Sequence, residues 1–100
     1  MEEDWEVLEF DVIGVEWNHE KAQINKRKHG VSFDEAIRIF GSKVARLEIS
    51  GGEERYVAIG FAGSRALVVV FTGRSESSRI ISARKATPAE RRRYGTYISS

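Results

Sequence analysis

Arg79-Ile80-Ile81-Ser82-Ala83-Arg84-Lys85-Ala86, followed at once by Thr87-Pro88-Ala89-Glu90-Arg91-Arg92-Arg93-Tyr94, is the stretch whose reading decides the fold. Its first half is β-rich, with cations set among isoleucines. Its second half announces a helix over about 88–97: Thr87 can cap the first turn, Pro88 suits the first helical position, and Glu90 completes a capping box. A cationic strand therefore runs straight into a cationic helix. Simple alternation puts Ser82 and Arg84 on one strand face and Arg79, Ile81, Ala83 and Lys85 on the other. Such cations either seat a phosphate-bearing ligand or merely solvate an edge strand.

Upstream, Gly73 to Ser78 reads as a hairpin loop, and before it Ala66-Leu67-Val68-Val69-Val70-Phe71-Thr72 is an unbroken apolar run. That run implies burial on both faces, hence a central strand. Gly63-Ser64 and Ser50-Gly51-Gly52 are turn signals on either side of a strand over 54–62. Ala45, Leu47 and Ile49 alternate with Val44, Arg46 and Glu48 in a half-buried strand. Ser32-Phe33-Asp34-Glu35 is a second capping box, and Phe33, Ala36, Ile37 and Phe40 give a core helix over 33–40. Before it, Asn18 opens a very polar helix over 19–29 that Gly30 ends, with only Ala22 and Ile24 as apolar anchors. Phe10 to Trp17 reads as a strand. The predicted order is β-α-α-β-β-β-β-α. This is an α+β fold, an antiparallel β-sheet of about four strands with two N-terminal helices and one C-terminal helix.

A chain of 100 residues makes one domain. It has no apolar run near the ~20 residues of a membrane helix and no secretory leader. The absence of cysteine removes disulfides, thiolate metal sites and thiol nucleophiles, and fits a cytoplasmic protein. Net charge is +1, but residues 1–20 hold eight acids and no Lys or Arg. Residues 21–100 therefore hold 16 bases against seven acids, a net +9. A polycationic body favours nucleic acid through phosphate contacts and counterion release, and charge alone does not separate binding from cleavage.

His29 follows Lys26-Arg27-Lys28 at the end of the first helix, either as a proton shuttle or as a helix-end side chain bonding a terminal carbonyl. His19, in the first helical turn, reads as a surface residue. Two histidines and no cysteine give no metal-ligand spacing, so neither metal nor cofactor is expected. Glu53-Glu54 borders a turn and reads as a solvated hairpin end. No phosphate-cradling glycine loop opens a helix. What remains is a set of Lys and Arg with one or two histidines. Such a set suits metal-independent RNA cleavage, in which the ribose 2′-OH attacks the adjacent phosphorus and cations meet the developing charge. It would equally hold phosphate without cutting it.

Trp17-Asn18-His19-Glu20-Lys21, Asn25-Lys26-Arg27-Lys28-His29-Gly30-Val31-Ser32-Phe33-Asp34-Glu35-Ala36, Glu54-Arg55-Tyr56 through Gly60, and Arg79 to Ala86 with Glu90-Arg91 and Tyr94 together resemble the BrnT family of type II toxins. The likeness covers about residues 16–97, leaving 1–15 as an acidic N-terminal extension. The resemblance implies a compact RelE-like fold and endoribonuclease activity. It also implies a BrnA-like ribbon-helix-helix antitoxin as partner, with operator DNA reached only through that antitoxin. Lys21, Lys28, His29, Arg55, Arg79, Ser82, Arg84 and Lys85 match the family's polar positions. On that basis His29, Arg79, Ser82 and Arg84 are the expected catalytic residues, and Lys21, Lys28, Arg55, Arg74 and Lys85 the expected RNA or phosphate contacts. Two departures stand out: Asn18 replaces an acid, and the segment before Glu53 lacks an aspartate and a histidine. If that histidine serves catalysis, this chain is an inactive RNA-binding or antitoxin-binding module instead.

Overall fold

An apolar run that must be buried on both faces belongs in the middle of a sheet, and Ala66 to Thr72 takes that place. The computed structural model describes residues 14–41, 43–50, 52–73 and 78–98. These form β1 (Val15–Glu16), α1 (His19–His29), α2 (Phe33–Ala36) running into a 3₁₀ turn (Ile37–Gly41), β2 (Lys43–Ser50), β3 (Glu53–Ala62), β4 (Arg65–Gly73), β5 (Ser78–Lys85) and α3 (Pro88–Ile98). The sheet order is β1-β5-β4-β3-β2, so β4 is central. Strands β2 to β5 are the expected antiparallel meander, and β1 adds two residues parallel to β5. Of the strand expected over Phe10 to Trp17, only Val15–Glu16 is strand, and residues 10–13 lie outside the described residues, as does the acidic segment before them. Arg74 also lies outside them.

Two apolar layers flank the sheet. On one face Val31, Phe33, Ala36 and Ile39 pack on Ala58, Leu67, Val69, Phe71, Ile80 and Ala83. On the other, Tyr94 of α3 packs on Val57, Ile59 and Val68. Alternation along β4 explains both, because Leu67, Val69 and Phe71 point one way and Val68 and Val70 the other.

The second helix departs from the expected 3.6 period. From Ile37 the chain tightens to 3₁₀ geometry, whose three-residue turn stacks Phe33, Ala36 and Ile39 on the core. Ile39 is buried and Ile37 is left at the surface.

The first helix is held by a polar side chain. Asn25 is buried, with its amide donating to the carbonyls of Ala83 at 2.8 Å and Val31 at 3.0 Å and accepting from the Ala83 N–H at 3.2 Å. At Ala83 the amide does what a neighbouring strand would do, giving and taking one bond. Ile24, expected as an anchor, is 49% exposed. Among the described residues no helix is long and apolar enough to cross a membrane.

Candidate functional site

The decisive local feature is a slip in the β4–β5 ladder. Val70 pairs with Ser82 but Phe71 pairs with Ile80, so Ile81 is an extra residue on β5. A bulge of one residue reverses which side chains face which way beyond it. The expected alternation therefore fails: Arg79 does not share a face with Ala83 and Lys85 but joins Ser82 and Arg84.

Register then defines three rows across the α3 side of the sheet. Arg55, Thr72, Arg79 and Glu16 lie side by side on β3, β4, β5 and β1. Val57, Val70 and Ser82 form the next row, and Ile59, Val68 and Arg84 the third. Directly opposed side chains point the same way, and two strand spacings put Arg55 and Arg79 about 10 Å apart at the backbone. Arg55, Ser82, Arg84, Ile81 and the three valines Val57, Val68 and Val70 line a hollow of about 260 Å³. It is an apolar floor with arginines at its rim. Such a surface can take the flat face of a sugar or base on the valines and phosphate oxygens on the guanidinium forks.

The two β5 arginines are held differently. Arg79 meets Glu16 at 3.3 Å, both side chains being about half exposed. Arg84 grips Glu90 with two parallel bonds, of 2.8 Å from Nη1 to Oε1 and 3.0 Å from Nη2 to Oε2. The capping box positions Glu90 for this grip, because its Oε1 also accepts from the Thr87 N–H at 2.8 Å while its own N–H donates to Thr87 Oγ1 at 3.1 Å. The Arg84 hydrogen bonds above all, with the Thr87 N–H, bring the Glu90 carboxyl down to about 2, against the upward push of partial burial.

The remaining candidates stand on the other side. Lys21, Lys28 and His29 belong to α1, which packs against the layer containing Val31 and Phe33. Lys21 and Lys28 are exposed and His29 is half-buried. Among the described residues the His29 ring makes neither a hydrogen bond nor an ion pair. The expected terminal-carbonyl bond is made by the backbone, since the Gly30 N–H donates to Lys26 O at 2.8 Å with Gly30 at φ +70°. Lys85 pairs with Leu67 and so points to the α1 side. His19 is exposed and lies 3.3 Å from Gln23. Among the described residues no three His, Asp or Glu side chains gather as a metal ion would need.

Sequence reading missed Glu90 as the partner of Arg84 and Arg65 as a clamp. Arg65 pairs with Glu35 at 3.2 Å and donates to Gly30 O at 3.2 Å, tying the β3–β4 hairpin to the turn after α1. The capping box was the signal for Glu90's position. Nothing local marks the Arg65 contact, which spans 35 residues.

A model of the family described as "Ribonuclease toxin, BrnT, of type II toxin-antitoxin system" matches residues 17–90. The chain belongs to the BrnT family. The crystal structure of the Brucella abortus ribonuclease toxin, BrnT, is similar to it at 28% identity and a TM-score of 0.61, covering 76% of this chain and 99% of that one. No curated protein sequence matches the chain. The BrnT match takes in α1, the whole meander and the Thr87–Glu90 cap. It therefore includes every row of the arginine face.

Proposed function

We propose that this BrnT chain is an endoribonuclease that cleaves RNA on the face carrying Arg55, Arg79, Ser82 and Arg84, by attack of a ribose 2′-OH on the adjacent phosphorus. The observation that carries the reading is the Ile81 bulge, which gathers on one face three residues that alternation would divide. In this reaction charge builds on the phosphoryl oxygens, and fixed cations aimed at it lower the barrier most. Arg84 is pre-set by Glu90, whose low pKa keeps it a carboxylate and makes it an orienting group, not a proton acceptor. Ser82, on β5 between the two arginines, offers a hydroxyl that accepts and donates, suited to passing the 2′-OH proton to water. The valine floor seats the flanking nucleotide. Two histidines and no cysteine support a reaction whose charge stabilisation comes from the chain's own cations, without a metal. His29, with Lys21 and Lys28, extends the cationic surface on the α1 side.

As a type II toxin the protein has an antitoxin partner. We assign that partner to the ribbon-helix-helix class of BrnA, which would supply any reading of operator DNA, in the cytoplasm.

The test is incubation of the purified protein with RNA in EDTA. Cleavage leaving 2′,3′-cyclic phosphate ends is expected, and cleavage that needs added Mg²⁺ contradicts the mechanism. A second reading, an inactive RNA-binding or antitoxin-binding module, is favoured by the distance in the fold between His29 and the arginine face. RNA that is bound but never cut would establish it.

A further inference from the structure

A second hollow, of about 320 Å³, lies where the β3–β4 hairpin, the end of β5 and the first turns of α3 meet. Ser64, Arg65, Ala66, Lys85, Ala86 and Arg91 wall it. Three of the six are cations and none is an acid. Topology alone assembles them. Ala62 opposite Arg65 closes the hairpin, Leu67 opposite Lys85 begins the next ladder, and the Ala86 N–H donates to Ala66 O at 2.9 Å. The Arg91 N–H then donates to Thr87 O at 2.9 Å, which fixes Arg91 above the strand end.

Cations drawn round one cavity repel each other unless acids answer them. The carboxylates near this place are committed elsewhere, Glu35 to Arg65 and Glu90 to Arg84 and Thr87. Arg65 is held rigid by Glu35 and Gly30 O, and its buried Nε has no acceptor. Lys85 and Arg91 are exposed, and among the described residues their side chains have no hydrogen-bond or ion-pair partner. The small side chains of Ser64, Ala66 and Ala86 keep the hollow open, and the Ser64 hydroxyl adds a neutral donor.

We infer that this hollow is a second phosphate seat, which takes a backbone phosphate of the RNA outside the reacting linkage. The inference rests on the RNA reading above and extends it. Arg84 and Lys85 are consecutive on β5 and point to opposite sides, and Arg91 follows Glu90. The seat and the arginine face therefore meet across the end of β5. An RNA strand leaving the valine floor past Arg84 comes next to Lys85 and Arg91 at the start of α3. The seat sets the direction in which the substrate lies and lengthens the bound segment beyond one linkage.

Two measurements on the full chain test this. The first is affinity for a short single-stranded RNA as a function of salt, in the native protein and in a Lys85→Ala, Arg91→Ala double variant. Both residues are exposed, so folding is spared, and Arg65 is left alone because it clamps α1. Each lost phosphate contact on a single strand flattens the log–log salt slope by about 0.7, so a loss of about 1.4 is expected. An unchanged slope overturns the seat and leaves the RNA reading standing. The second is titration with inorganic phosphate followed by amide shifts. Shifts at Ser64, Arg65, Ala66, Lys85 and Ala86 that vanish in the double variant are expected. Shifts confined to Arg79 through Arg84 overturn the seat. Shifts at the seat in a protein that binds no RNA overturn the RNA occupant together with the proposed function.

Discussion

Arg84 and Glu90 are joined by two parallel hydrogen bonds, of 2.8 and 3.0 Å, across the junction where β5 gives way to α3. The pair locks a strand residue of the arginine face to the first turn of the helix beside it. Its pH signature has a definite sign. Glu90 titrates near 2 when folded, against an ordinary value of 4.5. Its stabilising contribution is therefore complete above about pH 4.5 and is lost as pH falls through about 2. Because the Arg84 side chain is 42% exposed, solvent screening limits that contribution to about 1–2 kcal/mol. Denaturant unfolding between pH 7 and 2 should show Glu90→Gln less stable by that amount at neutral pH. The difference should close by about pH 2. A constant difference across the range would mean that the carboxylate charge does not contribute.

Arg79 should behave as the looser of the two β5 arginines. Its contact with Glu16 is 3.3 Å long between half-exposed groups, a kind of pair worth less than about 1 kcal/mol. Glu16→Gln is expected to leave the melting temperature within a few degrees of the native value while tightening RNA binding several-fold, since it removes a competitor for the guanidinium. Weaker RNA binding in that variant would show that Glu16 orients Arg79 for the phosphate.

Turnover separates the two sides of the sheet. Loss of one preorganised donor to a developing oxyanion costs about 10²–10³ in rate, so Arg79→Ala and Arg84→Ala should each fall in that range. His29→Ala, across the sheet from them, should change turnover by less than about tenfold. A fall of roughly 10²–10⁴ with unaltered stability would instead make the histidine the proton-transfer group.

Much of this was legible in the sequence where local chemistry decides the outcome. Ser32 accepts from the Glu35 N–H at 3.0 Å and Thr87 and Glu90 bond reciprocally, as their spacing required. Gly63, at φ +64°, opens a two-residue turn between Ala62 and Arg65. The apolar run of β4 is buried on both sides. The bulge was not legible, because Ile80 and Ile81 are chemically alike and only pairing with β4 decides which of them is the extra residue. The register slip is a tertiary choice, and it settles the composition of the candidate site. Ile39 replaced Ile37 in the core for a similar reason, since a switch from 3.6 to 3 residues per turn leaves no mark in composition.

Asn25 was the other hidden element, a polar residue inside a polar helix whose partner lies 58 residues away. Replacing it with alanine would leave the Ala83 N–H and carbonyl buried and unanswered. A loss of about 2–4 kcal/mol follows from desolvation of those groups. Hydrogen exchange at the Ala83 amide should speed up more than at its β4 neighbours. Asn25→Ala with native stability would mean that water takes over both bonds.

The same amide bears on how another chain can join this one. Along the outer side of β5, β1 is paired at Ser78 and Arg79, and Asn25 takes the backbone groups of Ala83. A peptide arriving as an added strand finds that border occupied, by a short strand at one end and by a side chain imitating a strand farther on. At the opposite border of the described sheet stands β2, paired only with β3. Growth of the sheet by a partner's strand is therefore directed to β2. That leaves the arginine face, on the broad side of the sheet, open to RNA even while such a strand is in place.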